Sequence, residues 1–435
     1  MSEYTLFLQH WRGHIGFSLI DTIRKTHVLT LLKELQSSQF DAPETIQSRQ
    51  ALLLERYADL VSRYSPLYQD YQCFAEFPII DKTFANKNRN LLLNPNYTGK
   101  IIRKKTGGST GQPFVYFLSE RSQSYIWAGM LLHWQVTGYQ LGEPVAFLAG
   151  SSLFGSGYKY FVYYNLMNVR LFSAFDLSTD KLKAYAEAIA QGAFRLLYGY
   201  ASAVHRLALY LLKAPVRPRF ALRGIVCTAE VLTQSMRDTI EAAFSVPCFN
   251  QYGCNDAGVL AYECEQQNGL HLITSRCYPE VQSDGRLIAT DMTNDAFFLP
   301  RYDTGDRVTM SNAACPCGRG FPLIKEVIGR SNELISDQAG HVVHSGFFTQ
   351  LFREDPKIRA FQVIYDHKQL AVIVDCPDKT SNWTRYIDRI NKTLVFDGVT
   401  FAENASFVQS TNGKHRFIMR VDDVESALTL TTNAE

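Results

Sequence analysis

The sequence carries almost no excess of charge. Its 44 lysines and arginines nearly balance 42 aspartates and glutamates, a formal net charge of +2 over 435 residues. That balance excludes the basic field with which a protein holds a nucleic acid or an anionic membrane surface, so an anionic ligand must be held by a local site. No uninterrupted apolar run reaches the ~18 residues of a membrane span, and no internal repeat or low-complexity segment is visible. In the N-terminal stretch MSEYTLFLQHWRGHIGFSLI, His10, Arg12 and His14 break up the apolar residues. A signal peptide, with its charged start and long apolar run, is not expected. The nine cysteines are odd in number and unevenly spaced, which fits reduced thiols in a cytoplasmic protein better than a disulfide framework. What the chain does have is apolar material. Hydrophobic residues make up 46%, enough for a large core over roughly two or three domains.

Periodicity orders that material. Leu53, Tyr57, Leu60, Val61 and Tyr64 recur at helical spacing within residues 45–64. Ser119 is placed to cap a helix carrying Ile126, Met130, Leu131 and Trp134. Short apolar runs at 144–150 and 224–230 predict buried strands, and helical stretches at 180–196, 201–213 and 232–244 separate such runs. Alternating strands and helices predict a layered α/β core. The last hundred residues differ: Phe361, Val363 and Tyr365, the polar turn DHKQ and the returning LAVIVDC predict a β-hairpin. A helix at 382–395 and two more strands follow, giving an α+β unit of about 100 residues. The boundary falls near Gly329–Glu333.

Three segments carry chemistry. In Thr106-Gly107-Gly108-Ser109-Thr110-Gly111-Gln112-Pro113, three glycines within five residues let the backbone approach an anion and turn its N–H groups toward it. Arg103, Lys104 and Lys105 precede it. Gln112 stands where a P-loop needs lysine, so this is no Walker A loop; an ordinary Gly/Ser surface turn accounts for it equally well. Arg301-Tyr302-Asp303-Thr304-Gly305-Asp306 reads as a turn able to set a carboxylate against paired hydroxyls, the logic by which dinucleotide folds hold ribose; a solvated acidic turn is the plainer reading. Asn250 to Gly258, NQYGCNDAG, offers a ring to stack on a base and a carboxylate for a hard cation, or simply a strand end with a turn.

In order and spacing these motifs resemble the adenylate-forming ligases of the phenylacetate–CoA ligase type, nearest to its coenzyme F390 synthetase-like and CapK-like branches. TGGSTGQP resembles that family's phosphate loop, QYGCNDAG its Tyr-Gly-x-Thr/Ser-Glu motif, and RYDTGD its Tyr-x-Thr-Gly-Asp motif. CPCGRGFPLIKEVIGRSNELI is similar to a branch-specific segment running into an interdomain hinge, and Asn412 to Arg416, NGKHR, to a C-terminal Gly-Lys. The resemblance spans about residues 30 to 420.

It implies an α/β enzyme with a large layered N-terminal domain, residues 1–330, and a small mobile α+β lid, residues 331–435. It implies ATP and Mg²⁺, with an organic acid converted to an acyl-adenylate and passed to a thiol such as coenzyme A, or to an amine. Thr106, Gly107, Gly108, Ser109, Thr110 and Gly111 would hold phosphates, Tyr252 with Gly253 and Asn255 would flank the adenine, and Asp306 would bind the ribose. Arg330 would add a cation near ribose and phosphate. Lys414 would be the catalytic charge brought in by the lid, and Asp256 the cation's carboxylate. Tyr198, Gly199, Tyr200, Ala229 and Glu230 match segments that wall the acid. Two positions depart from the family: Asp256 is one methylene shorter than Glu, and Asn255 replaces a hydroxyl with an amide.

A fourth group is metal-like. Cys264, His271, Cys315 and Cys317 would make a closed, structural Cys₃His zinc site, although the Cys-x-Cys spacing is tight and buried cysteines also serve as small apolar residues. The resemblance includes this pattern. Cys254 and Cys277 read as packing residues. A homodimer is left open; no nucleic-acid partner is expected.

Overall fold

The computed structural model describes residues 3–105, 114–149, 158–174, 177, 179–330, 334–339, 342–344, 348, 351–352, 357–358, 360–376, 382–403, 406–408 and 418–432. The chain divides into two compact units. One comprises Met1–Leu232 with Thr239–Val327, the other Thr233–Asp238 with Ile328–Glu435.

Among the described residues, eleven strands form the main sheet. Five of them run parallel, in the order Val169–Ser173, Val145–Ala149, Leu196–Tyr200, Gly224–Thr228 and Cys248–Cys254. VAFLA, LLYGY and GIVCT are buried at every position, as strands covered on both faces must be. Helices Thr179–Gln191, Ala201–Lys213 and Gln234–Phe244 supply the crossovers. From Cys248–Cys254 the sheet continues antiparallel through Val259–Glu263 and Leu270–Leu272 to Leu323–Arg330. It ends in Tyr302–Met310, Arg286–Asp291 and Cys277–Val281.

The helix Glu120–Val136 begins where Ser119 accepts a hydrogen bond from the Ser122 amide. It lies tightly on the sheet: a Cβ on Gly129 would meet Leu260 at 2.5 Å. The helix Pro43–Tyr64 buries Tyr57 and Val61.

Three local expectations are corrected. The helix foreseen at 180–196 stops at Gln191, because Gly192 is followed by Ala193 in the left-handed region (φ 48°), freeing Leu196 to start a strand. The helix foreseen at 382–395 spans only Thr384–Asn391. RYDTGD is not a turn: Tyr302–Met310 is a strand, interrupted by a bulge.

In the second unit, Ala360–Tyr365 and Gln369–Asp375 form the hairpin. Gly398–Glu403 and Ile418–Arg420 add in parallel at its two edges. Asp366 holds the turn, accepting from the Lys368 and Gln369 amides at 2.6 and 2.7 Å. The helix Thr384–Asn391 buries Tyr386 and Ile390 against this sheet's core.

Candidate active site and metal centre

The order of the parallel strands points to a candidate site. After Val145–Ala149 the chain moves outward to Val169–Ser173, then crosses back to Leu196–Tyr200. Ligands of open α/β sheets bind beyond the carboxyl ends of strands at such a reversal. The carboxyl-end positions here are Tyr200, Ala229, Glu230, Asn255 and Asp256. Ala229 sits at φ 67°, a conformation that costs a residue with a Cβ about 1–3 kcal/mol and clusters at functional sites. Glu230 accepts from the Ser202 amide at 2.8 Å, at the start of the helix Ala201–Lys213.

Tyr198 and Gly199 lie inside the sheet rather than at its edge. The Tyr198 ring packs 4.5 Å from Phe147 and 5.4 Å from Trp134, and its hydroxyl accepts from Gln251 Nε2 at 3.0 Å. A Cβ on Gly199 would meet the Leu148 carbonyl oxygen at 2.4 Å.

Tyr252 and Gly253 lie near the carboxyl end of the strand Cys248–Cys254, and Asn255 and Asp256 follow it directly. Asp306 arrives on Tyr302–Met310. Ile288 pairs with Asp303 but Arg286 pairs with Arg307, so three residues here oppose one on the neighbouring strand. Gly305 takes φ 74° within that bulge, a device that re-aims a side chain beside active sites. Thr304 and Asp303 accept from the Asp306 and Gly305 amides, and Asp306 is left 5% exposed.

The two motifs are laced reciprocally. Tyr252 donates its hydroxyl to Asp306 Oδ2 at 2.6 Å, and Tyr302 donates to Asp256 Oδ2 at 3.2 Å. Each tyrosine thus holds the other motif's aspartate. Burial, with the Asp256 charge adding, pushes the nearby Tyr116 hydroxyl far above its usual range.

Beneath this lies a polar knot that the sequence did not flag. Arg276 and Asp291 are 1% and 3% exposed and pair at 2.9 Å. Ser122 donates to Asp291 at 2.6 Å, and Thr293 binds its other oxygen through amide and hydroxyl. Arg276 Nη2 reaches the Asn255 carbonyl at 3.3 Å, while its Nη1 is buried with no partner among the described residues. In the sequence Arg276 follows Thr274 and Ser275, a polar context that gives no sign of its burial.

The glycine-rich segment, Thr106 to Pro113, lies outside the described residues, as does Lys414. Arg330 closes the strand Leu323–Arg330, and its side chain lies outside the description. The strands flanking the glycine segment pair antiparallel, Lys105 opposite Val115. Of the basic residues before it, Lys104 is a weakened cation: burial, with Arg24 adding repulsion, lowers it to about 8.

The metal-like group does assemble. Ligand atoms of Cys264, His271, Cys315 and Cys317 lie within 4.8 Å of one another. Cys264 and Cys315 sulfurs stand 3.6 Å apart, and Cys317 Sγ is 3.3 Å from His271 Nε2. A tetrahedral zinc with Zn–S of about 2.3 Å spaces its sulfurs about 3.8 Å apart, so the donors fit that ion. The other imidazole nitrogen, Nδ1, lies 3.4 Å from the Phe321 carbonyl, the outer contact that orients a metal-bound histidine. Burial pushes Cys264 up to about 12. Burial acts the same way on Cys317, but hydrogen bonds from the Arg319 backbone and side chain override it and bring that thiol down. Arg319 also bonds Gln39 at 2.9 Å, and Gly320 approaches so closely that a Cβ would lie 2.0 Å from the Asp41 carbonyl oxygen.

With this geometry in place, known proteins give the frame. No family model matches the sequence. CapK of Staphylococcus aureus is 26% identical over 275 residues, 62% of this chain and 61% of that protein. The phenylacetate-coenzyme A ligase of Thermus thermophilus is 29% identical over 130 residues, 26% of this chain and 29% of that enzyme. The match therefore spans less than two thirds of either curated relative. A 2-hydroxyisobutyryl-CoA ligase solved in its postadenylation state with R3-HIB-AMP superposes with a TM-score of 0.70 at 15% identity, covering 92% of this chain and 94% of that one. The fold is that of the adenylate-forming ligases. In sequence the chain resembles the CapK and phenylacetate–CoA ligase branch of that fold. The same ligase with 2-HIB-AMP and CoA, in the thioesterification state, gives 0.57 at 15% identity. Among the described residues no helix is long and apolar enough to cross a membrane.

Proposed function

We propose that this chain uses ATP to activate an organic carboxylic acid as its acyl-adenylate, and passes the acyl group to a thiol such as coenzyme A. The observation that carries the reading is the reciprocal lacing of Tyr252 to Asp306 and Tyr302 to Asp256. It brings the Tyr252 ring and the Asp306 and Asp256 carboxylates together, which supports reading them as a base-stacking ring, a ribose ligand and a cation ligand. An anionic acid must attack a polyanion, so the chemistry is positioning and charge neutralisation. In this reading Thr106 to Gly111 hold the phosphates and Arg330 adds a cation. Tyr252, Gly253 and Asn255 flank the adenine, and Asp306 takes the ribose. Asp256 holds Mg²⁺, which neutralises phosphate charge, and Ala229, Glu230 and Tyr200 border the acid. Residues 1–330 form the binding body and 331–435 a lid bearing Lys414, which approaches the carboxylate and α-phosphate for adenylation.

The test is acid-dependent exchange of pyrophosphate into ATP across a panel of acids. At least one acid is expected to support exchange, and Lys414→Ala to cut it by about a hundredfold or more, the scale of losing a preorganised charge. ATP binding without exchange for any acid would sink the enzyme reading in favour of a scaffold. Mass spectrometry of products formed with CoA and with amines names the acceptor; an amide product alone would overturn the thiol assignment.

The Cys264, His271, Cys315 and Cys317 cluster is read as a structural zinc clamp. Protein purified without chelator is expected to hold one zinc per chain, and Cys315→Ser to lose it. Substoichiometric zinc that this substitution leaves unchanged would refute the clamp.

A further inference from the structure

Asp256 is the carboxylate assigned above to the cation, and Mg²⁺ tolerates little error in ligand distance. The structure surrounds this carboxylate with donors. Cys254 Sγ donates to Asp256 Oδ1 at 3.0 Å, and the Tyr302 hydroxyl donates to Oδ2 at 3.2 Å. One donor on each oxygen fixes the plane of the carboxylate, yet each oxygen keeps a further lone pair for another ligand.

Neither donor is free to wander. Cys254 ends the strand Cys248–Cys254 and is 5% exposed. Tyr302 is 3% exposed, and its ring stacks on Phe114 with centroids 5.9 Å apart and planes 15° apart. Phe114 stacks in turn on Tyr116 at 5.7 Å. Below, Arg276 Nη2 holds the Asn255 carbonyl. The backbone just before Asp256 and both of its side-chain oxygens are therefore pinned from three separate segments of the chain.

We propose that Tyr302 and Cys254 are positioning residues for Asp256, orienting its carboxylate for a divalent cation bound with nucleotide. The inference rests on the assignment of Asp256 as a cation ligand. Each donor lowers the disorder that the carboxylate would otherwise lose on meeting the ion, and the charge-assisted Tyr302 bond weighs more than the weak thiol donor.

The test uses Mn²⁺ in place of Mg²⁺, with free ion read by electron paramagnetic resonance as it is titrated into the full-length protein with AMP present. Tyr302→Phe keeps the stacked ring and is expected to weaken Mn²⁺ binding about tenfold, and Cys254→Ala about threefold. AMP affinity without Mn²⁺ should stay at the wild-type value in both. Cys254→Ser restores a donor and should restore ion binding. Loss of AMP and Mn²⁺ binding together in Tyr302→Phe would show a general distortion and overturn the proposal. Wild-type Mn²⁺ affinity in Tyr302→Phe and Cys254→Ala, with weakened binding in Asp256→Asn, would overturn it alone. Unchanged binding in Asp256→Asn would remove Asp256 as a ligand, and the inference with it.

Discussion

Replacing Arg276 with methionine is expected to destabilise the first unit by about 3–5 kcal/mol, the cost of leaving one buried charge without its partner. Asp291 is 3% exposed and so is shut off from the solvent that would otherwise solvate its charge. Ser122 and Thr293 would still donate to it, but three neutral donors do not cancel a charge. The Asn255 carbonyl would lose its Nη2 contact as well. Chemical denaturation of wild type, Arg276→Met and Arg276→Met/Asp291→Asn measures this. The double variant should recover part of the loss, because it removes the orphaned charge. A single variant as stable as wild type would mean that the ion pair contributes nothing net, and the knot would then be dispensable.

Acid should reach the same unit through His133. This residue is fully buried on the helix Glu120–Val136, with Tyr262 at 5.6 Å and Phe249 at 6.4 Å. Its Nδ1 lies 3.2 Å from Gln251 Oε1, and its Nε2 has no partner among the described residues. Burial holds the imidazole down to about 4; the Gln251 bond opposes this and the Arg319 charge adds to it. Unfolded, a histidine titrates near 6.5, so between pH 6.5 and about 4 the unfolded chain binds a proton that the native state refuses. The contribution is full above pH 6.5 and is lost as pH falls toward 4, by about 3 kcal/mol at 1.4 kcal/mol per pH unit. Denaturation at pH 7 and pH 4.5 should show a smaller acid penalty in His133→Gln than in wild type. His271, also lowered by burial, titrates alike in both proteins and cancels in the difference. Equal penalties would sink the assignment.

How much of the site was legible differs residue by residue. Asp306 was readable because a Gly-Asp pair in a polar segment signals a special backbone. Its setting was not, because a bulge is a relation between two strands that neither strand's own sequence encodes. Cys254 reads in the sequence as a packing residue, and it is buried. Its thiol also serves Asp256, two residues along the chain but across a strand end whose direction the sequence does not give. Tyr198 and Gly199 match a pocket-lining segment and are buried in the strand Leu196–Tyr200. A strand buried on both faces has the same composition whether a given ring borders a ligand or a neighbouring ring.

By itself the sequence determined the alternation of strands and helices, the start of the helix Glu120–Val136 at Ser119, and the hairpin of Ala360–Tyr365 with Gln369–Asp375. Each is a local matter of side-chain period, capping and turn chemistry. It also limited the chain, nearly neutral overall, to a local anion site. Only the tertiary structure decided that Tyr252 meets Asp306, that Tyr302 meets Asp256, that Arg276 is buried against Asp291, and that three cysteines and a histidine converge. Those contacts join residues up to 54 apart in sequence, and strand order and register set them, which no periodicity within one segment encodes.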